Sequence, residues 1–405
     1  MKTKNLLFNC SLAIAISAAT IGNLNAQIVG TDAFMKGNYV EIGIRGTGGY
    51  EGATAAAPSG MHARGGIGLF GFVANPQMDS WTNYDGDFYT PGVPENGWGI
   101  EIGTTGGIKR CNNASGSGAL SAISGSITGW SHVGTVTSTN WEGNDVAAGL
   151  NVKINYSLGD NALFYVTTVS VTNTSSVTLN DIFYYRNLDP DNNQSLTGVF
   201  ATTNSVVSQH SACSTCYAQI SATQTTPWLS DVGFVTTDTA YVAGYGGFTN
   251  RDGSDMYNGV GYTQTVGSSL TADGSIYLAY KIPALTATSA RVFRFATVFA
   301  PTAVASAVTA LSPLSTSLNE TKNSSVNVSV YPNPIIDNGT ISIDNSIVLS
   351  NASVVIYDMF GKKMRVIEMQ SNTVNFEKGD LAAGMYFYKL VNKGSEVVTG
   401  KLIVK

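Results

Sequence analysis

The segment LFYVTTVSV, residues 163–171, decides the fold class, and LNDIFYYR, residues 179–186, follows it after a short polar stretch. Both segments are rich in β-branched and aromatic residues, which are typical of strands. The intervening residues Asn173–Ser176 are of the types that form turns. The two segments are therefore predicted to form a β-hairpin in an all-β protein.

Segments of the same character recur along residues 27–312. Further strands are expected at Tyr39–Ile44, Gly97–Ile102, Leu150–Tyr156, Thr239–Tyr245, Ile276–Ile282 and Arg291–Phe299. The Ala-rich stretch Thr302–Leu311 is the clearest candidate for a helix, and it is short. Many strands without helical crossovers predict a large antiparallel β-sandwich, or two sandwiches, as a passenger domain over residues 27–312.

Composition excludes some functions. Charged residues make up 12% of the chain, about half the share in an average globular domain. Residues 27–325 carry 12 Lys and Arg against 20 Asp and Glu. An acidic passenger without a basic stripe argues against nucleic-acid binding, which needs clustered cations. After residue 26 no apolar run is long enough for a transmembrane helix, so none is expected in the mature chain.

The N-terminus has the three parts of a secretory signal peptide. Lys2 and Lys4 form a positive region, and Leu6–Ala19 forms an apolar one. Leu24–Ala26 is a plausible cleavage site, so residues 1–26 are predicted to be removed and Gln27 to begin the mature chain. The protein is therefore expected to be secreted or to lie at the outer cell surface.

Removal of the signal peptide leaves three cysteines, Cys111, Cys213 and Cys216. An odd number leaves at least one thiol outside any internal disulfide. Cys213 and Cys216 have the CxxC spacing, but no second pair or nearby His pair completes a zinc site. In an exported protein this spacing predicts a local disulfide that pins a loop.

The composition changes near the C-terminus. Residues 313–325 are polar and weakly patterned, which predicts a flexible linker. Residues 326–405 then carry short strand patterns and a series of motifs in fixed order. The motif residues are Tyr331, Pro332, Asn333 and Pro334, then Asp358 and Gly361, then Gly384 and Tyr386, and finally Lys401 and Lys405 at the end of KLIVK.

In this order and at this position, the motifs resemble the type A C-terminal sorting domain of the type IX secretion system, which belongs to the Bacteroidota. The resemblance covers residues 326–405. It implies a small Ig-like β-sandwich that the outer-membrane translocon recognises and that a sortase-like peptidase usually removes. It also implies a mature protein that is released or fixed to the cell surface.

Three passenger segments combine Asp and Asn with turn residues, namely 83–87, 189–193 and 250–255. Carboxylates at alternate positions of a tight turn can converge on a hard cation such as Ca²⁺. Asp189, Asp191 and Asn193 have the most suitable spacing and are the predicted metal ligands. The alternative is that these residues only form turns. The scarce Arg186 and Arg251 are expected to pair with nearby carboxylates.

Aromatic residues in turn-rich segments give the candidate ligand-binding residues, Trp81, Tyr84, Trp98 and Trp141. Exposed rings at loop ends of a sandwich can stack on sugars or anchor protein partners. The alternative is that they pack in the core. No HExxH or GxSxG motif is present, and GxGxxG at Gly66–Gly71 is not followed by a helix pattern. No catalytic residue is therefore assigned.

These observations predict a non-catalytic, secreted or cell-surface protein for adhesion or for glycan or matrix binding. Its partners would be the translocon and sortase, through the C-terminal domain, and a glycan or surface polysaccharide. One alternative is a secreted carbohydrate-active enzyme with paired carboxylates in a cleft. Another is a structural subunit of a surface coat.

Overall fold

The structure is a computed structural model, and its described residues are 26–64, 68–93, 95–103, 107–116, 118–212, 216–248, 251–312, 328–343, 349–358, 363–392 and 395–405. The predicted linker and the predicted signal peptide, apart from Ala26, lie outside the described residues. The chain divides into two compact units, Met1–Leu311 and Ser312–Lys405. Each unit has its own hydrophobic core.

The first unit is made almost entirely of strands. In chain order these are β1 (Ala26–Val29), β2 (Asp32–Lys36), β3 (Val40–Arg45), β4 (Tyr50–Glu51), β5 (Phe72–Ala74), β6 (Asp85–Gly86), β7 (Asn96–Ile102), β8 (Ile108–Asn113), β9 (Gly125–Val133), β10 (Val136–Asp145), β11 (Leu150–Gly159), β12 (Phe164–Asn173), β13 (Leu179–Leu188), β14 (Thr202–Ser208), β15 (Ala218–Gln224), β16 (Ser230–Thr236), β17 (Tyr241–Gly246), β18 (Tyr262–Thr263), β19 (Ser269–Ala272), β20 (Ser275–Leu285) and β21 (Ala290–Val298).

Helices are few and short. They are α1 (Gln194–Thr197), α2 (Gly253–Asn258) and α3 (Val304–Leu311), with 3₁₀ turns at His210–Ala212 and Pro301–Ala303. The third helix lies within the predicted helical stretch. Its apolar residues Val304, Ala307 and Leu311 pack with Val166 and Val235 on the outside of a sheet. This contact covers an apolar part of that outer face.

Three antiparallel sheets form the first unit. A nine-stranded sheet has the order β19-β14-β15-β16-β21-β12-β11-β10-β9, and a six-stranded sheet has the order β18-β17-β20-β13-β7-β8. A third sheet has the order β1-β2-β3-β5-β6, with β4 paired to β3. Side chains from all three sheets form one continuous core. The predicted all-β fold with a large antiparallel sandwich is confirmed.

Aromatic rings join the two large sheets. Tyr184 of β13 lies 5.0 Å from Phe293 of β21, measured between ring centroids. Trp98 of β7 lies 5.7 Å from Trp141 of β10. The burial of such rings supplies much of the apolar area removed from water on folding. The core of the sandwich therefore lies between these two sheets.

The predicted hairpin between residues 163–171 and 179–186 is wrong in its pairing, although both strands exist. β12 pairs with β11 and β21 in the nine-stranded sheet, whereas β13 pairs with β20 and β7 in the six-stranded sheet. The connection crosses from one sheet to the other. Asn173 holds it, because its Nδ2 donates to the carbonyls of Val177 and Leu285 at 2.7 and 2.9 Å. Strand patterns predict the strands, but not which neighbour each one pairs with.

The second unit is a seven-stranded sandwich of two small sheets, ordered β22-β23-β26 and β25-β24-β27-β28. It agrees with the predicted Ig-like C-terminal domain. Its strands are β22 (Val328–Tyr331), β23 (Asn338–Ile343), β24 (Ala352–Tyr357), β25 (Lys363–Met369), β26 (Thr373–Glu377), β27 (Gly384–Asn392) and β28 (Ser395–Val404).

Candidate functional site

The first candidate site is an acidic triad formed by Asp189, Asp191 and Asp273. One carboxylate oxygen from each residue lies within 4.8 Å of the other two. Asp189 and Asp191 follow the end of β13, and Asp273 lies in the turn between β19 and β20. Two of the predicted metal ligands therefore do lie together. The third member comes from a distant part of the chain.

The two central carboxylates are deeply buried. Asp189 is 6% exposed and Asp191 is 2% exposed. The Oδ1 atom of each has no hydrogen-bond partner. Burial, together with the neighbouring carboxylates, raises the pKa of Asp189 to about 7 and the pKa of Asp191 to about 9. Without a counter-charge, these groups are costly to ionise where they stand.

Asn193, the third predicted metal ligand, forms its side-chain hydrogen bonds with a different segment of the chain. Its Nδ2 donates to Asp85 Oδ1 at 3.1 Å. Its Oδ1 accepts from Gly86 N at 3.2 Å and from Arg64 Nη1 at 3.3 Å. Asn193 therefore holds the adjacent segment around Asp85, and its role as a metal ligand stays a prediction. The sequence hides the link to Asp273, because 82 positions separate it from Asp191.

The second candidate site is the His62 patch, defined here as His62, Trp81 and Tyr84 with Glu41 beneath them. The imidazole stacks on the Trp81 indole with ring centroids 4.1 Å apart. Tyr84 packs edge-on to both rings at 5.7 Å. Trp81 and Tyr84 are only partly buried. Both residues were predicted to bind a ligand. Their partly exposed rings are compatible with that role, which stays a prediction.

Glu41 fixes the orientation of His62. Its Oε1 lies 2.9 Å from His62 Nδ1, and its Oε2 accepts from the His62 backbone N–H at 2.6 Å. Glu41 is fully buried on β3. A neutral imidazole that donates from Nδ1 to this carboxylate keeps an acceptor at Nε2, as a general base requires. His62 was not among the residues singled out from the sequence, because a lone His has no recognisable spacing.

Trp98 and Trp141, the other two predicted ligand-binding residues, lie in the core instead. Each is 1% exposed. The Trp98 Nε1–H is directed at the carbonyls of Gly48 and Gly49, at 3.2 and 3.0 Å, and the Trp141 Nε1–H donates to the Gly46 carbonyl at 2.8 Å. Both residues therefore pack in the core, which was the alternative to ligand binding. They do not offer a ring to a ligand, but they hold a glycine-rich loop in place.

The loop that these indoles hold links β3 to β4. Tyr156 donates from its hydroxyl to the Gly49 carbonyl at 2.9 Å, and Asn112 Nδ2 donates to the Gly48 carbonyl at 2.9 Å. Gly49 has φ +63°, and a Cβ added to it would lie 2.4 Å from the Trp141 ring. The loop is thus fixed by several buried donors and admits no side chain at Gly49.

This loop forms one wall of the third candidate site, which we call the Arg45 pocket. The pocket has a volume of about 500 Å³ and is lined by Arg45, Thr47, Tyr50, Asn113, Ser115 and Ser124 among others. Arg45 Nη1 donates to the Tyr50 hydroxyl at 3.2 Å. Among the described residues no carboxylate lies within 4.0 Å of the Arg45 guanidinium. The guanidinium carries five N–H donors, and the Tyr50 hydroxyl accepts from one of them.

The opposite wall of the Arg45 pocket is rigid. Glu95 accepts from Asn113 Nδ2 at 2.8 Å, from Ser115 Oγ at 2.5 Å and from Arg251 Nη2 at 3.1 Å. Asn187 Nδ2 donates to the same carboxylate at 2.8 Å. A buried charge with this many partners is well satisfied. The polar side chains of the pocket are therefore positioned before any ligand binds.

The two arginines expected to pair with nearby carboxylates instead pair with distant ones. Arg186 Nη2 lies 2.9 Å from Glu51 Oε2 inside the sandwich, and Arg251 pairs with Glu95. Tyr165 also donates to Glu51, at 2.5 Å. These pairs neutralise buried charges, and removing one partner of such a pair is strongly destabilising. They are structural features of the core.

The structure describes two of the three cysteines of the predicted mature chain, Cys111 and Cys216. Cys216 is disulfide-bonded, and its expected partner Cys213 lies outside the described residues. The pairing of Cys213 with Cys216 therefore stays a prediction. Cys111 is a buried thiol, and Arg251 Nη1 donates to its sulfur at 3.4 Å.

In the second unit, the motif residues join the two ends of the domain. Ile403 N donates to Asn333 Oδ1 at 2.8 Å, and Ile335 forms an isolated bridge to Val404. Tyr386 donates from its hydroxyl to the Ala382 carbonyl at 2.9 Å. The YPNP motif is thus fixed to the terminal strand β28, which ends at Val404, one residue before Lys405. Asp358 follows β24, Gly384 begins β27, and Gly361 lies outside the described residues.

One face of the four-stranded sheet is apolar and exposed. Met385 pairs with Ile403, and Phe387 pairs with Lys401, across β27 and β28. Met385 is 47% exposed, Ile403 39% and Phe387 37%. Adjacent exposed apolar side chains on a small domain mark a surface that another protein can bind. This face and its bordering Lys401 are a candidate contact for the export machinery.

Comparison with known protein families identifies the second unit. Residues 329–405 match the family described as the secretion system C-terminal sorting domain. The resemblance seen in the motifs is confirmed, and the protein is secreted, to the cell surface or the exterior. In the described part of the chain, no helix is long and apolar enough to cross a membrane.

Comparisons with individual proteins give partial likenesses. An endo-acting ulvan lyase from Formosa agariphila is 34% identical over 92 residues, which are 22% of this chain and 17% of the lyase. A solved polysaccharide lyase aligns over 94% of this chain and 47% of its own, at 13% identity and a TM-score of 0.31. A galactose mutarotase-like protein from Lactobacillus casei aligns over 66% of this chain and 100% of its own, at 9% identity and a TM-score of 0.32. Both TM-scores are too low to establish a shared fold.

Proposed function

We propose that the passenger binds a polysaccharide bearing carboxylate or sulfate groups. The proposal starts from the finding that residues 329–405 are the sorting domain of a secreted protein. The observation that carries the proposal is the Arg45 pocket. It combines one arginine that has no carboxylate partner among the described residues with hydroxyl and amide groups, of which Asn113 and Ser115 are hydrogen-bonded to Glu95. Arginine forms paired hydrogen bonds to planar anions, and the neighbouring polar groups match sugar hydroxyls.

The distribution of charge sets Arg45 apart. Eight of the eleven described basic residues of the passenger have a carboxylate within 4.0 Å. The exceptions are Arg45, Arg64 and Arg294. Arg64 donates to the carbonyls of Tyr84 and Gly86 at 2.7 and 2.8 Å, so its donors are used within the fold. Arg294 lies on β21 and lines no pocket described above.

A polysaccharide ligand also agrees with the partial likeness to an endo-acting ulvan lyase. That likeness covers only 22% of this chain, so it assigns no residue of the passenger. Adhesion to a glycan-containing surface or matrix would use the same kind of contact. The Arg45 pocket supports recognition of an anionic polymer. Among the described residues, no feature supports the alternative of a structural coat subunit.

The test is binding of the mature chain to polymers of different charge. Affinity electrophoresis would compare polygalacturonate, dextran sulfate and neutral dextran. We expect retention by at least one anionic polymer, weakened about tenfold or more by Arg45→Gln, since a charge-assisted pair contributes roughly 1.5–3 kcal/mol. The matched control is Arg294→Gln, which removes another arginine without a carboxylate partner. Equal retention by dextran, or unchanged retention after Arg45→Gln, would contradict the proposal.

A second candidate function is a secreted carbohydrate-active enzyme, and the His62 patch favours it. The carboxylate of Glu41 orients an imidazole that is partly exposed beside Tyr84 and Trp81. Such a group can remove a proton from a bound substrate. If this function holds, the mature chain releases new sugar ends from an anionic polysaccharide, and His62→Ala abolishes the release. His132→Ala is the control, because His132 hydrogen-bonds Thr137 and does not belong to the His62 patch.

A further inference from the structure

We propose that the acidic triad of Asp189, Asp191 and Asp273 is a binding site for a divalent cation, with Ca²⁺ as the preferred ion. The proposal does not depend on the polysaccharide ligand, because the triad shares no residue with the Arg45 pocket. It starts from the sequence expectation of a metal at Asp189 and Asp191. It replaces the expected ligand Asn193 with Asp273.

The spacing of the carboxylate oxygens suits a single ion. One oxygen from each Asp lies within 4.8 Å of the others. Ca²⁺ binds oxygen at about 2.3–2.6 Å, so two oxygens on opposite sides of one ion are at most about 5 Å apart. One Ca²⁺ can therefore contact all three carboxylates after at most a small shift of their side chains. Mg²⁺ binds at about 2.0–2.1 Å and would require a tighter set.

The donor type also selects the ion. The triad offers only carboxylate oxygens, which are hard ligands favoured by Ca²⁺ and Mg²⁺. Neither His nor Cys belongs to the cluster, so the sulfur and imidazole ligands typical of zinc are missing from it. Ca²⁺ accepts irregular geometry and mixed ligand numbers more readily than Mg²⁺. This favours Ca²⁺ at a site built from two chain segments.

Burial provides the independent observation that points to a bound ion. The Oδ1 atoms of Asp189 and Asp191 are inaccessible to solvent and have no hydrogen-bond partner. Over the described ranges, no Lys, Arg or His side chain lies within 4.0 Å of any of the three carboxylates. Buried polar atoms in folded proteins are nearly always satisfied by a partner. A cation is the partner that would satisfy all three carboxylates at once.

The backbone around the triad is already fixed. Asp189 N donates to the Glu95 carbonyl at 2.8 Å, and Asp191 N donates to the Phe88 carbonyl at 2.6 Å. Asp273 stands between β19 of the nine-stranded sheet and β20 of the six-stranded sheet. A cation here would tie the exit of β13 to a connection between the two sheets. It would thereby stabilise this end of the sandwich.

The experiment uses the mature chain after treatment with EDTA and removal of the chelator. Isothermal titration with CaCl₂ should show one ion bound per chain, and the melting temperature should rise with added CaCl₂. MgCl₂ should bind at least tenfold more weakly. Failure of Ca²⁺ to bind the wild-type chain would overturn the proposal, and equal binding of Mg²⁺ would overturn the choice of ion.

Two variants locate the site. Asp191→Asn should weaken Ca²⁺ binding tenfold or more, but it alters a buried group and can affect folding. Asp273→Asn is therefore the decisive variant, because Asp273 is exposed and its loss leaves the core intact. We expect Asp273→Asn to keep the wild-type circular dichroism spectrum and to weaken Ca²⁺ binding at least tenfold. The control Asp160→Asn should bind as the wild type does, and unchanged binding by Asp273→Asn would refute the assignment.

Discussion

Gly49 illustrates how a single residue can be set by its neighbours. It has φ +63°, and the Trp141 ring leaves no room for a side chain there. Gly49→Ala combines backbone strain of about 1–2 kcal/mol with an overlap that costs roughly a further 1–3 kcal/mol. We expect a corresponding loss in the free energy of unfolding of the mature chain, measured by urea denaturation. Displacement of the loop should also weaken binding at the Arg45 pocket.

Gly134 provides a matched control for this substitution. It also has φ +63°, but nothing lies within 4 Å of an added Cβ. Gly134→Ala should therefore cost only the backbone strain of about 1–2 kcal/mol. The difference between the two variants measures the overlap with Trp141. Equal losses would show that the indole can move aside.

Asp231 makes the stability of the passenger depend on pH. Burial, together with the charge of Asp85, raises the pKa of Asp231 from 3.8 to about 7. Between these values the folded chain holds a proton that the unfolded chain has lost, so stability falls as pH rises from about 4 to 7. Asp231→Asn removes this loss. We expect the variant to match the wild type at pH 4 and to exceed it at pH 8 by on the order of 1–3 kcal/mol in urea unfolding.

Asp145 should respond in the opposite direction. Although burial opposes it, the hydrogen bonds from Arg110 and the Ala148 N–H lower the pKa of Asp145. Its contribution to stability is present above the ordinary carboxyl pKa and is lost at lower pH, so Asp145→Asn should destabilise the chain at pH 8.

The Asp231 prediction has its own contradicting outcome. A difference in unfolding free energy between Asp231→Asn and the wild type that stays constant from pH 4 to 8 would show that Asp231 does not hold the proton.

Among the structural elements, the predicted hairpin of β12 and β13, which does not form, shows where sequence patterns stop being informative. Both strands were predicted, with ends close to those observed. A hairpin and a connection between two sheets both need two strands joined by a polar turn. The choice depends on the partners β11, β20 and β21, with which the two strands pair instead of with each other. The local sequence pattern of a strand does not predict which distant strands it pairs with.

In the sorting domain, Asn333 joins the end of β22 to β28. Asn333→Ala leaves the Ile403 N–H without the acceptor that it has at 2.8 Å. We expect the unfolding free energy of this unit to fall by about 1 kcal/mol and export of the full chain to decrease. Asn338→Ala is the control, because Asn338 is exposed at the start of β23. Export by Asn333→Ala equal to that of the wild type would mean that this link is dispensable for recognition.

For the molecule as a whole, the sorting domain predicts where the protein goes. A chain without residues 326–405 should enter the periplasm through the predicted signal peptide and remain there, because the translocon recognises the missing domain. Fractionation of cells followed by immunoblotting would locate the passenger. Detection of the truncated passenger in the medium or on the cell surface at wild-type levels would contradict this role. A chain carrying Asn338→Ala provides a full-length comparison.

The sequence by itself determined the all-β class, export and the sorting domain, because strand periodicity and short ordered motifs are local properties. It also brought Asp189 and Asp191 together, since they are two positions apart in one turn. The three-dimensional packing was needed to show that Asp273 completes the triad, that Trp98 and Trp141 support a loop, and that Arg45 has no carboxylate within 4.0 Å among the described residues. Each of these depends on contacts between segments far apart in the chain. Such contacts are fixed by packing of the whole sandwich, and no local pattern encodes them.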